Sequence, residues 1–186
     1  MTTAIAAVPG LRAGTWTIDP SHSEVSFTVR HLMVSKVRGT FRTFTGAITV
    51  DDDLQASTVT AEVVMDSIDT REATRDNHLR TKDFFEIEKY PTMNYRSTGI
   101  RADGDDYIVE GELTLHGVTK PVALSLEVGG VGSDPWGGVR AGFSAKTAIN
   151  RNDFGVDIKM PLDGGGVVVG DKISIHLEIE AVLDQN

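Results

Sequence analysis

A chain of 186 residues, 40% hydrophobic and 24% charged, fits one globular domain and excludes both wholesale disorder and a fibrous architecture. A formal charge of −9 disfavours nucleic acid as a partner, and the absence of cysteine excludes disulfides, thiolate nucleophiles and Cys-ligated metal centres. No run of about 18 apolar residues offers an integral membrane span.

Residues 1–13 read as a flexible N-terminal segment ahead of a single domain over 14–184. The segment has no basic n-region, and Pro9 and Gly10 cut short the apolar run from Ala4 to Val8, so no secretory signal is read and a cytoplasmic location is expected. Asp19-Pro20-Ser21-His22-Ser23 reads as a turn at a strand entry. From Glu24 onward apolar and polar residues alternate with period two: Val25, Phe27 and Val29, then Val59, Ala61, Val63 and Met65 each share one face. Thr70 to Tyr90 breaks that pattern with strong helix formers and predicts a short helix or two, with Thr70 as a cap and Pro91 at the end.

Alternation resumes with Tyr107 to Leu115, Val122 to Val128, Ala141 to Ile149 and Ile173 to Ala181. Turns are expected at Asp51–Asp53, Asp103–Asp105, Gly129-Gly130, Gly137-Gly138 and Gly164–Gly166. Strands that are apolar on one side only must pack on another sheet or close on themselves, and closure removes exposed edges. The expected fold is all-β: an antiparallel barrel of about eight strands with a short helix, within about 70–90, at one end.

Candidate chemistry is sparse. The five histidines, His22, His31, His78, His116 and His176, show no metal-ligand spacing, and no metal or cofactor is expected. Asp19, Ser21 and His22 lie too close in sequence for a nucleophilic triad, and no GxSxG elbow exists. Arg75, Asp76, His78 and Arg80 cluster in the helical segment, where Arg75 and His78 are candidates to meet a polar head group; an Arg–Asp network tying the helix to a barrel rim is the plainer reading. The stronger signal is the interior face, on which Phe27, Val29, His31, Val63, Met65, Met93, Tyr95, Leu113 and Phe143 mix bulky and adaptable groups suited to a long apolar ligand. A barrel of this size either fills its lumen with side chains or leaves room for one ligand, and pattern alone does not choose.

Four segments, GTWTIDPSHSEVSFTVRHLMVSKVRGTF, SIDTREATRDNHLRTKDFFEIEKYP, GELTLHGVTKPVAL and GFSAKTAINRNDFGV, occur in an order that resembles the YceI-like family from about Gly14 to Ala181. His22, Ser23, Arg75, Asp76, His78, His116, Arg151 and Asp153 fall on its polar motif positions. The resemblance implies a lipocalin-like barrel with an elongated tunnel for a polyisoprenoid, an isoprenoid quinone or a similar long-chain amphiphile. It implies no catalytic set, and the family's frequent periplasmic or secreted location contrasts with the unsigned N-terminus. The expected function is a carrier, store or scavenger of such a lipid. The alternative is a hydrolase or isomerase of a lipid-like substrate using His31, His78 or His116 with a carboxylate. A homodimer is left open.

Overall fold

Period-two alternation commits these segments to strands, and in the computed structural model, which describes residues 8–157 and 169–185, they pair antiparallel throughout. The strands are β1 (Gly14–Ile18), β2 (Glu24–His31), β3 (Ser35–Phe41), β4 (Phe44–Val50), β5 (Thr58–Val64) and β6 (Ile68–Asp69). After helix α1 (Ala73–Leu79) come β7 (Thr92–Asp103), β8 (Asp106–Leu115), β9 (Val118–Pro121), β10 (Leu124–Ser133), β11 (Val139–Asn150) and β12 (Lys172–Leu183). The ring runs β1-β4-β5-β7-β8-β10-β11-β12 and closes where Trp16 to Ile18 meet Ala181 to Leu183. The expected eight-stranded barrel is thereby formed, and its ring has no free edge.

One side of the wall is jointed. Asp19–Ser23 bends the first stave, so β12 pairs with β1 at one end and, through Ser174 to Glu178, with β2 at the other. Arg42 and Thr43 bend the second stave, whose halves β3 and β4 pair with β2 and β1 respectively. The third consists of β5 on β4 and β6 on β3. The rest of the ring is built from long strands of ten to twelve residues, β7, β8, β10, β11 and β12.

Three expectations need correction. Gly129-Gly130 is not a turn but lies inside β10, where the register shifts between Val128 and Gly130 as a bulge. The helix ends at Leu79, well before Pro91, and the chain continues in short turns to Tyr90. Its cap is Glu72, whose carboxylate accepts the Thr74 and Arg75 amides at 3.2 and 2.6 Å; Thr70 is instead the residue that anchors the helix. The Gly164–Gly166 turn lies outside the described residues.

Seven helical residues cannot stand alone, so α1 depends on tertiary clamps. The buried Asp76 carboxylate accepts the Thr70 amide at 3.0 Å and its hydroxyl at 2.5 Å. Arg75 closes the knot, donating from Nε to Thr70 Oγ1 and from Nη2 to the Thr70 carbonyl, both at 2.8 Å.

Apolar side chains inside the barrel gather in three groups rather than one. Phe41, Phe44, Met65, Ile68 and Phe154 pack at the helix end, and Trp16, Val50, Ala141, Phe143 and Ala181 at the other. Val109, Leu124 and Ala145 form a third group on the wall. Trp16 is fully buried, and its indole N–H donates to the Arg12 carbonyl at 2.9 Å, which draws the N-terminal segment over that end.

Candidate ligand-binding cavity

Between these groups lies a cavity of about 190 Å³. It runs from Val8, Leu11 and Leu54 at one end to Val25, Thr147 and Ile175 towards the other. Along β8 the lining spans Tyr107 to Leu113, a rise of roughly 20 Å along the strand at about 3.3 Å per residue. The space is therefore long and thin. Among the described residues no charged side chain lines it; its polar side chains are Thr45, Ser57, Asn94, Thr147 and the phenols of Tyr95 and Tyr107. Such a surface desolvates apolar groups readily and offers a buried charge no counter-ion.

Tyr95 is the best-defined polar feature. Its hydroxyl donates to the Val122 carbonyl at 2.9 Å, where β9 gives way to β10, with the Val109 carbonyl at 3.4 Å. Gly111 makes room for it, since a Cβ there would stand 2.3 Å from the phenol oxygen. Burial pushes the phenol up to about 12, with the negative charge of Glu110 adding to the rise.

Of the residues singled out from the sequence, Val63, Met93, Tyr95, Leu113 and Phe143 line this cavity together. The others lie apart from that lining. Phe27 shares a face with Val25 but folds across Gly39, where a Cβ would meet its ring at 2.3 Å, and stacks against Phe41 with ring centroids 5.7 Å apart. Met65 begins a turn just past the end of β5 and is sealed in the helix-end core. Val29 lies nearer the β2–β3 turn, and the His31 backbone bridges to Val169. Arg75 and His78 belong to α1, Arg75 tied to Thr70 and His78 to Asp83 at 3.1 Å. Val8, Leu11 and Leu54, which carried no periodic signal, close the far end.

The histidines and carboxylates sit elsewhere. His116 has its ring fixed by Nδ1–H donating to the Phe154 carbonyl at 3.0 Å, which leaves Nε2 buried without a hydrogen bond, 3.9 Å from Glu86. At the bent first stave, His22 Nδ1 lies 3.1 Å from Ser21 Oγ and 2.9 Å from Asp19 Oδ2. Serine and carboxylate thus meet the same ring nitrogen, whereas a nucleophilic triad needs them on opposite ones. Asp19, His22 and Glu180 also bring ligand-type atoms within 4.8 Å of one another, but Arg140 Nη1 already donates to both carboxylates, at 2.8 and 2.7 Å.

Comparison with known proteins gives this geometry a context. Protein YceI of Escherichia coli is 45% identical over 136 residues, covering 73% of this chain and 71% of that protein. The crystal structure of the Campylobacter jejuni YceI protein superposes with a TM-score of 0.70 at 30% identity, over 84% of this chain and 90% of that one. A polyisoprenoid-binding domain from Saccharophagus degradans shares the fold at a TM-score of 0.68 and 16% identity, over 91% and 98% of the two chains. The YceI-like domain model matches residues 16–181, nearly the whole described barrel, and the chain belongs to that family.

Proposed function

We propose that the barrel binds a long-chain hydrophobic ligand, a polyisoprenoid, an isoprenoid quinone or a similar amphiphile, and serves as its carrier, store or scavenger. The observation that carries this reading is the cavity: long, thin, apolar along its length and free of charge among the described lining residues. A thin space favours a chain over a fused-ring body. Energetics favour a long chain, because each buried CH₂ gains roughly 0.8 kcal/mol while association costs about 4 to 15 kcal/mol. The polyisoprenoid-binding function of the Saccharophagus degradans domain is consistent with this choice.

The test is native purification followed by solvent extraction and mass spectrometry, on the wild type and on Leu113→Trp. Leu113 lies on the cavity wall in mid-sheet, opposite Tyr95, so an indole there obstructs the passage. The expected result is an intact long-chain lipid with the wild type and little or none with the folded variant. Equal retention by both would place the ligand elsewhere, and a lipid recovered chemically altered would favour the hydrolase or isomerase alternative.

A further inference from the structure

The hairpin joining β2 to β3 has a tip that water should not favour. Leu32, Met33 and Val34 are 40%, 51% and 85% exposed, three consecutive large apolar residues that make up the whole connection between His31 and Ser35. Val34 N–H closes a turn on the His31 carbonyl at 3.1 Å, and Leu32 and Met33 both take positive φ, 53° and 59°. Hairpin turns of this kind are unstrained with Asn-Gly and strained with bulky residues. Backbone strain and exposed apolar surface are thus accepted together at one spot.

Directly beneath the tip the charge is positive, in a chain of net charge −9. Arg30 and Lys36 stand opposite each other in register, both exposed, and like charges so placed repel. Among the described residues no carboxylate pairs with either one. Arg38 follows on the same outer face, opposite Thr28 and paired with Glu24. Lys172 lies two residues beyond the Thr28–Ser174 pairing on the adjacent strand, and the nearby Asp171 is paired with Arg151. No helix in the described residues is long and apolar enough to cross a membrane.

We propose that the β2–β3 hairpin docks the protein on an anionic phospholipid bilayer, its apolar tip entering the acyl boundary while Arg30 and Lys36 meet lipid phosphates. Apolar residues at a tip with cations one residue pair behind its base match the depth order of a bilayer surface, acyl chain first and phosphate second. A protein partner would need a surface combining an apolar pocket with an acidic rim, whereas the bilayer supplies both layers without a shaped pocket. The docking does not depend on what the cavity holds.

Because the chain has no cysteine, Val34→Cys takes a single environment-sensitive fluorophore without further changes. Mixed phosphatidylcholine–phosphatidylglycerol vesicles should blue-shift that probe, with the shift shrinking as salt is added, and pure phosphatidylcholine vesicles should leave it unmoved. A probe at Trp136→Cys, on an exposed residue of the β10–β11 turn, should not respond to either. Arg30→Glu with Lys36→Glu should weaken binding more than about tenfold, since each cation near an anionic surface is worth about fivefold. Leu32→Asn with Met33→Gly should raise the thermal midpoint by relieving the turn and yet abolish binding, which separates docking from folding. The proposal fails if the Val34 probe ignores the anionic vesicles, responds equally to both vesicle types, or moves together with the Trp136 probe. It fails equally if the tip variants change the oligomeric state in vesicle-free buffer, which would make the tip a contact between copies of the chain.

Discussion

Tyr95 puts a phenol into a largely apolar wall, and its fold-dependent ionisation can be measured. The folded state holds the phenol up to about 12, above the roughly 10 of an unfolded tyrosine, so its contribution is fully present below about pH 10 and is lost as pH rises from there. Tyr95→Phe should cost about 1 kcal/mol at neutral pH, because the Val122 carbonyl loses its donor. It should also remove one step from the alkaline absorbance titration and flatten the loss of stability between pH 10 and 12. Loss of a step centred near pH 10 rather than near about 12 would mean that the phenol is reached by solvent in the folded protein. The position of Tyr95 was legible from the sequence as the larger member of an alternating face, but its partner was not, since a strand boundary near Pro121 and Val122 does not say which side chain reaches the freed carbonyl. The same limit explains Phe27. Alternation gives the face correctly, and only the absence of a side chain at Gly39, across the strand pair, lets the ring lie against Phe41 in the helix-end core rather than on the cavity lining.

At the scale of elements, the bend between β1 and β2 is fastened to its neighbours by charge. Arg140 of β11 donates to Asp19 in the bend, Glu180 of β12 and Asp134 in the β10–β11 turn. Asp19 is held well below the usual carboxylate range by the Ser21 hydroxyl first, then by Arg140 and His22; Asp134 is lowered by the Gly138 amide and then by Arg140. A depressed carboxylate stabilises the fold above its unfolded pKa near 4 and loses that contribution as pH falls below it. Arg140→Gln should therefore lower the urea midpoint clearly at about pH 7, and the gap from wild type should narrow progressively as pH falls below about 4. A gap that stays constant with pH would assign the loss to packing. The turn itself was legible from Asp19-Pro20, whereas its tether was not, because Arg140 lies 121 residues away. Helix α1 was legible as a change of composition, and a short helix within 70–90 forms; helix formers continue to Tyr90, but the helix stops at Leu79, where Arg80 donates instead to the Asp66 and Ile68 carbonyls.

For the whole molecule, the sequence pattern sets which faces turn inward and leaves open whether those faces meet. Whether the lumen fills depends on summed volumes across a closed ring, a property of no single segment, and here the small residues Ala61 and Ala145 help to keep it open. An open apolar space is stability forgone in the unliganded protein. Ala145→Leu, projecting three further carbons into the cavity, should raise unfolding stability by roughly 1–2 kcal/mol while reducing retained lipid. Thermal unfolding and extraction of the same preparation test both halves, and a destabilised variant would indicate that the wall around Ala145 is already close-packed.

The joints in the first three staves also divide the barrel for purposes of change. In an unbroken strand a one-residue insertion turns every later side chain to the opposite face. Here such a slip in β2, β3 or β6 can be absorbed at Asp19–Ser23, Arg42–Thr43 or Met65–Ser67 before it reaches β1, β4 and β5. The helix end, with its hairpin and rim, is thereby free to vary in length and chemistry while the Trp16 end keeps its register, so a single inherited tube can be refitted at one mouth without being rebuilt.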